Sequence, residues 1–387
     1  MMSNFVINGI FKRRKVNEMR LITLDKCKPG IKLGKTLFNE SGNILLAEGT
    51  VLTSGLLKQL KKYHIFTIYV EDEESEGIEI VEAIPQELRT EAVNVITEGL
   101  NDIASLRASN GSKVRGMVRT ERAIRSFKKI FKDILSCLSE NKAALNLLAT
   151  TKVHDNYVYM HSVNVTIYST QLAIANGLPL KNIEEIGLGA MLHDLGKLYI
   201  PPEILNKPGK LTKEEFEQVK AHSELGFEIL RKVHEIPLTV AHCAFQHHEK
   251  LDGTGYPRGL KGDEIHKYSK IMAVADVFDA VTSHRVYRPA MLPHTAIELL
   301  YAGSGTHFDS RQVQLFKEFV AIYPQGVTIK LNDGRTGIVT EYNFQAVGRP
   351  VVRIIKDENQ QKINPYELDL SANENLTVEI VEADAIL

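Results

Sequence analysis

The sequence has almost no net charge and no long apolar run. Its 47 lysine and arginine residues nearly cancel 48 aspartate and glutamate residues, which leaves a formal net charge of −1. A chain without a strong overall charge is not expected to bind a nucleic acid polymer or an anionic membrane through a general electrostatic field. Because no apolar stretch is long enough to cross a bilayer, we also predict no membrane span. An anionic ligand would have to be held by a local group of charged side chains.

Cysteine is scarce as well. The chain has Cys27, Cys137 and Cys243, an odd number whose spacing matches neither a zinc site nor a disulfide framework. This usage predicts reduced, packed thiols and a cytoplasmic location. The sequence also lacks internal repeats and low-complexity segments.

A length of 387 residues predicts more than one domain. Short β-like runs with turns stand at both ends of the chain, and helical periodicity fills the middle. The predicted fold class is therefore mainly α, with a helical core between a small α/β module and a small β module. The predicted segments are a basic tail without a signal-peptide core at 1–19, the N-terminal α/β accessory module at 20–72, a helical linker at 73–115, the catalytic core at 116–323, and the C-terminal β module at 324–387.

Histidine and aspartate recur in the helical middle, mostly in apolar surroundings. A lone histidine is more often a hydrogen-bonded core residue than a ligand, but an imidazole or carboxylate on an apolar face needs a partner. One metal centre would satisfy the whole series. Lys197 lies one helical turn after His193, on the same helix face. The candidate ligands are His161, His193, Asp194, His222, His247, His248 and Asp276.

Two motifs carry a family resemblance. HDLGK at 193–197 and HHEKLDGTGYP at 247–257 resemble the signature of the HD-GYP proteins, a branch of the HD metal-dependent phosphohydrolases. NKPGKLTKEE, VADVFDAVTS and RVYR also match, and the resemblance covers roughly 119–320. It implies an HD-type helical bundle that hydrolyses cyclic di-GMP to pGpG, with possible further hydrolysis to GMP.

The resemblance also implies residue roles. Asp194 would bridge two divalent metal ions, iron or manganese, and the other candidate ligands would complete their coordination. Lys197 would act in catalysis with Asp194, by holding a phosphate oxygen or aiding the leaving oxygen. Tyr256, Arg285 and Arg288 would contact the substrate, since a guanidinium matches phosphate oxygens in a bidentate way.

Some family members hold a third metal through a glutamate four residues before the first histidine. Tyr157 stands at that position, and a neutral phenol is a poor ligand for a divalent ion. We therefore expect two metals.

Three other functions stay open. These are hydrolysis of the hybrid cyclic GMP-AMP, binding of a cyclic dinucleotide as a catalytically weak receptor, and a general HD nucleotidase activity. The intact motifs disfavour the receptor, and the GYP loop disfavours the nucleotidase. The N-terminal module is expected to sense a signal or to form a homodimer interface, and the C-terminal β module is expected to cover the core or to bind a partner.

Overall fold

The computed structural model describes residues 18–383, except 39–43, 64, 66, 81, 109–112, 141–156, 208, 284–290 and 344. In these residues most of the chain is helical, and strands are confined to the two flanking modules, which confirms the predicted fold class. No helix in the described residues is long and apolar enough to cross a membrane.

The N-terminal module is a three-stranded antiparallel sheet, a two-stranded ribbon and one helix. Its elements are β1 (Arg20–Thr23), β2 (Lys32–Leu33), β3 (Leu37–Phe38), β4 (Ile44–Leu46), α1 (Ser54–Lys62) and β5 (Thr67–Glu71). The sheet order is β1-β5-β2, and β3 pairs with β4. Thr53 caps α1 by accepting a hydrogen bond from the backbone N–H of Leu56.

The helical bundle follows and surrounds one helix, α4. Its helices are α2 (Gln86–Ala108), α3 (Lys113–Glu140), α4 (Tyr157–Ala175), α5 (Leu180–Leu192), α6 (Pro202–Leu205), α7 (Lys213–Leu230), α8 (Leu238–Gln246), α9 (Lys267–Thr282), α10 (Pro293–Ala302) and α11 (Ser310–Phe319). Helices α2, α3, α5, α9 and α11 all pack on α4. Residues 161–170 of α4 are buried without exception, so polar side chains on this helix must find partners inside the protein.

Helix α2 lies in the segment predicted as a linker, yet it shares the core of the bundle. Ala92, Ile96, Leu100 and Ile103 are fully buried there, at the spacing of one helix face. A β-carbon at Gly99 would lie 2.3 Å from the ring of Phe127 on α3, so the two helices are in close contact. The domain boundaries at 73–115 and 116–323 stay a prediction.

The C-terminal strands form one antiparallel sheet in the order β10-β6-β7-β8-β9. Their bounds are β6 (Thr328–Leu331), β7 (Thr336–Glu341), β8 (Val351–Lys356), β9 (Lys362–Asp369) and β10 (Ile380–Ala383). Leu21 and Tyr69 of the N-terminal module pack into the same apolar cluster as Val327 and Ile329. The backbone N–H of Leu21 also donates to the carbonyl of Gly326, at 2.9 Å. The two flanking modules therefore share a core.

Candidate metal centre

Five helices bring the predicted ligands to one buried place. Three of these residues lie within helices, and the other four lie in the first two positions after a helix ends. His161 lies on α4, His193 and Asp194 follow α5, His222 lies on α7, His247 and His248 follow α8, and Asp276 lies on α9.

The HDLGK segment approaches α7 closely because it contains a glycine. A β-carbon at Gly196 would lie 1.9 Å from the carbonyl oxygen of His222, so no other residue fits between this turn and the helix. Helix α7 begins with a capping box, in which Thr212 and Glu215 each accept a hydrogen bond from the other's backbone N–H. These contacts fix the start of α7 and the place of His222 relative to the HD segment.

Four imidazoles are held through Nδ1 so that Nε2 points into the centre. Where a backbone carbonyl accepts the bond, Nδ1 carries the hydrogen and Nε2 keeps its lone pair for a metal. At His161 both nitrogens face a carboxylate, since Nε2 also lies 3.0 Å from Oδ1 of Asp276. The acceptors are Ala190 O for His193 at 2.8 Å, Val219 O for His222 at 2.6 Å, Ala244 O for His247 at 2.9 Å, and the Asp279 carboxylate for His161 at 2.7 Å.

The two oxygens of Asp194 face different histidines. Oδ2 lies 3.3 Å from Nε2 of His193 and 3.7 Å from Nε2 of His161. Oδ1 lies 3.5 Å from Nε2 of His222 and 3.8 Å from Nε2 of His247. A carboxylate in this position can place one oxygen on each of two metal ions.

The electrostatics of the centre give these groups the protonation states of metal ligands. Burial raises the pKa of Asp194, but His193 and Lys197 outweigh it and hold that pKa well below its usual range. The Nζ atom of Lys197 lies 2.6 Å from Oδ2 of Asp194. Burial lowers the pKa of His222 to about 4 and that of His248 to about 3. Around pH 7 the carboxylate is therefore ionised and these imidazoles are neutral, as metal binding requires.

The centre passes a test of fit for metal ions. Nε2 of His193 and Oδ1 of Asp194 are buried and have no hydrogen-bond partner among the described residues, which is costly for polar atoms. Donor atoms lie within 4.8 Å of one another in three groups, which are His222, His247 and His248; His161, His193 and Asp276; and His193, Asp194 and His247. A mixture of imidazole and carboxylate donors suits iron or manganese.

The loop after the histidine pair is anchored by the glutamate of the same motif. Glu249 is buried, and its carboxylate accepts hydrogen bonds from the backbone N–H groups of Arg258 at 2.8 Å and Leu260 at 2.9 Å. Asp252 starts the turn by accepting from the backbone N–H of Thr254 at 2.8 Å. The acidic positions of the motif therefore shape the loop and do not enter the ligand groups.

The two glycines of this loop serve different purposes. Gly253 has a φ of +83°, in the region that only glycine adopts freely. At Gly255 the constraint is space, since a β-carbon would lie 2.4 Å from the backbone nitrogen of Lys250. A positive φ therefore requires glycine at the first position, and close packing requires it at the second.

Tyr256 lies at the rim of the centre, in a small aromatic group. Its ring centroid is 4.7 Å from that of His248 and 6.4 Å from that of Phe216 on α7. Lys220 places its Nζ 5.0 Å from the centroid of Phe216 and 5.6 Å from that of Tyr256. Phe216 is 43% exposed, so its ring is open to solvent beside Tyr256 and is accessible to a ligand.

The structure brings together all seven predicted ligands, with Lys197 and Tyr256 beside them. Arg285 and Arg288 lie outside the described residues. Tyr157 is the first residue of α4, and its side chain also lies outside the description. Since no contact tests the assigned roles, those roles stay predictions.

Sequence reasoning missed three residues that shape the site. Asp279 could have been found from its place one helical turn after Asp276, on the same face of α9. Phe216 and Lys220 are four residues apart on α7 and therefore also share a face, which was the available signal for the aromatic group.

Two family profiles match the chain. One, described as HD domain, matches residues 136–311, and the other, described as KOW domain associated with HD domain, matches residues 328–385. The cyclic di-GMP phosphodiesterase PA4108 of Pseudomonas aeruginosa is 38% identical over 222 residues, which are 57% of this chain and 53% of that protein. The 3'3'-cGAMP-specific phosphodiesterase 3 of Vibrio cholerae is 39% identical over 174 residues, 44% of this chain and 37% of that one. The match therefore spans about half the length of these relatives or less.

Among solved structures, Bd1817, an HDG"Y"P protein from Bdellovibrio bacteriovorus, aligns with a TM-score of 0.43 and 18% identity, over 77% of this chain and 98% of that chain. The HD profile covers the helices that carry all seven candidate ligands, and both signature motifs are complete in this chain. Residues 136–311 therefore match the HD-domain family and contain both motifs of the HD-GYP branch, and residues 328–385 match the KOW domain that is associated with HD domains.

Proposed function

We propose that this chain is a metal-dependent phosphodiesterase that hydrolyses a cyclic dinucleotide, with cyclic di-GMP as the first candidate substrate. The observation that carries the proposal is the placement of Asp194, whose two oxygens face separate histidine groups in a buried centre. The names of the relatives support the substrate class, since one is named for cyclic di-GMP and another for 3'3'-cGAMP. The proposal places the protein in the cytoplasm.

Two divalent ions, when bound, would supply an ionised water as nucleophile and offset the negative charge that grows on the phosphate. The candidate ligands would hold them, with His161, His193 and Asp276 on one side of Asp194 and His222, His247 and His248 on the other. We propose iron or manganese among the first-row metals that suit this mixed donor set.

The remaining residues of the site would act on the substrate. Lys197 keeps its ammonium beside Oδ2 of Asp194, at 2.6 Å, where it can donate to a phosphate oxygen or to the leaving oxygen. Tyr256 and Phe216 offer ring faces next to the centre, and nucleobases stack on such faces. Arg285 and Arg288 are proposed as further phosphate contacts.

The test is turnover by protein that has been purified without oxygen and loaded with ferrous iron or manganese. Cyclic di-GMP and 3'3'-cGAMP are supplied separately, and the products are separated by chromatography. We expect linearisation of cyclic di-GMP to pGpG, and the ratio of the two rates decides which dinucleotide is preferred. If the metal-loaded protein binds a cyclic dinucleotide without hydrolysing it, the receptor hypothesis would replace the enzyme hypothesis.

A further inference from the structure

The imidazole of His161 is held differently from the other three buried imidazoles. They donate to backbone carbonyls of their own helices, whereas His161 donates to a carboxylate from another helix, that of Asp279 on α9, at 2.7 Å. Both side chains are almost completely buried. The orientation of this one ligand therefore depends on a side chain that must itself be held in place.

Asp279 is held through its other oxygen by a chain of two further side chains. Asn164, one turn after His161 on α4, donates its amide to Oδ1 of Asp279 at 2.7 Å. The amide oxygen of Asn164 in turn accepts a hydrogen bond from Nη2 of Arg89 at 3.3 Å. The exposed fractions of Arg89, Asn164 and Asp279 are only 3%, 4% and 3%, so water does not compete for these bonds.

Arg89 lies on α2, upstream of the segment that matches the HD profile. Burial lowers the pKa of Arg89, while the neighbouring Glu82 and Asp279 favour its charged form. A buried guanidinium is costly unless it is paired. Here the two neighbouring acids are Glu82, which precedes α2, and Asp279, which holds His161. Helix α2 thus carries a charge that faces the centre from outside the HD domain.

We propose that Arg89 is a positioning residue for the metal centre, which acts through Asn164 and Asp279 to fix the imidazole of His161. This rests on the proposed function, because it assumes that His161 is a metal ligand. The support reaches only one of the two sides of Asp194. The side with His161, His193 and Asp276 depends on it, and the side with His222, His247 and His248 does not.

The test is an oxygen-free manganese titration, with bound and free metal separated and counted, in the presence of a competing chelator. Loss of a side chain that orients a metal ligand typically lowers metal affinity by about 10–100-fold. We expect Arg89→Met to weaken one of two sites by that factor and leave the other unchanged. Arg231→Met is the matched control, since its guanidinium forms an exposed pair with Glu228.

A second variant separates positioning from folding. Asn164→Leu keeps the branched shape and the number of heavy atoms of the side chain but removes both of its hydrogen bonds, and it carries the same expectation if Arg89→Met does not fold. Because both residues act through one chain of bonds, the double variant should lose no more affinity than the more affected single variant. Additive losses in the double variant would overturn the proposal.

The failures of the two proposals differ. Wild-type protein that takes up no manganese would remove the proposed metal centre itself. Wild-type protein with two sites, together with variants that match it, would leave the proposed function standing and remove only the role of Arg89.

Discussion

Asp194 and Lys197 form an ion pair, yet their proposed roles differ: metal binding for the carboxylate and phosphate contact for the ammonium. The carboxylate lies between the two histidine groups, and the ammonium lies on one of its oxygens. We expect Asp194→Ala to lose metal and activity together, because both histidine groups would lose the carboxylate that lies between them. We expect Lys197→Ala to keep both metals and to lower kcat by about 10–150-fold, the equivalent of one charge-assisted hydrogen bond of about 1.5–3 kcal/mol.

Metal content and kcat are measured on the same preparations of these two variants. Each serves as the control of the other, since they alter neighbouring atoms. Wild-type rates in both would show that the centre lies elsewhere, and metal loss in Lys197→Ala would make the lysine part of the metal support.

Phe216 places an exposed aromatic ring next to the loop that borders the metal centre. Its ring is 43% exposed beside Tyr256, and stacking of one base on an aromatic ring contributes about 1–3 kcal/mol. We expect Phe216→Ala to raise KM for cyclic di-GMP by about tenfold and to change kcat little, as measured by steady-state kinetics.

The control for Phe216 is Leu238→Ala, which removes another exposed apolar side chain, at the start of α8. It should leave both constants unchanged. If Phe216→Ala lowered kcat and left KM as it is, the ring would belong to the support of α7 and not to base binding.

At the scale of the element, the GYP loop depends on one buried carboxylate. Glu249 accepts hydrogen bonds from two backbone N–H groups with its two oxygens. Glu249→Gln leaves one acceptor oxygen, so one buried N–H loses its partner at a cost of about 1–3 kcal/mol. We expect faster amide hydrogen exchange at residues 258–260 and unchanged metal content.

Glu264→Gln provides the comparison for the loop. Glu264 also accepts from a backbone N–H, that of Lys261 at 2.8 Å, but it is exposed. Water can replace its bond, so exchange in 258–260 should stay at the wild-type rate. Equal protection in both variants would mean that the loop is held by something other than Glu249.

Features that depend on residues close together in the chain could be predicted from the sequence, and features that depend on tertiary contacts could not. The HD and GYP motifs and the isolated His and Asp of the helices could be recognised one by one, and the structure brings them together. The apolar spacing of α2 was also visible, but the helices on which it packs are set by tertiary structure, so it was interpreted as a linker. Arg89 gave no signal at all, because Asn164 and Asp279, its links to the centre, are distant in the chain.

For the whole molecule, the buried imidazoles couple stability to pH. In the metal-free protein burial lowers the pKa of His222 to about 4 and that of His248 to about 3, against about 6.5 in an unfolded chain. Above pH ~6.5 both states are neutral and this coupling vanishes. Below that pH these histidines bind protons in the unfolded state but stay neutral in the folded state. The free energy of unfolding therefore falls as pH drops toward about 4, by about 1.4 kcal/mol per pH unit for each such histidine.

Urea unfolding of chelator-treated protein between pH 7.5 and 4.5 measures this slope. The pKa values of Asp194 and Asp276 lie well below 3.8 in the folded protein and at about 3.9 in an unfolded chain. Both states are therefore ionised over most of this window, and these carboxylates contribute little to the slope. His222→Gln removes one such group, so it should reduce the slope by up to about 1.4 kcal/mol per pH unit. A stability that is flat across the window would contradict the buried neutral state of these rings.

The core shared by Leu21, Tyr69, Val327 and Ile329 sets an order on how the chain can fold as it is synthesised. The N-terminal strands leave the ribosome first, but the side chains that cover one part of their apolar surface come after the entire helical bundle. Ribosomes add about 5–20 residues per second, so Leu21 and Tyr69 stay uncovered for many seconds while the bundle can already close around α4. The hydrogen bond between Leu21 and Gly326 joins the two ends of this long segment. In the order of synthesis the C-terminal sheet therefore docks last, and until then the uncovered Leu21 and Tyr69 can contact other chains.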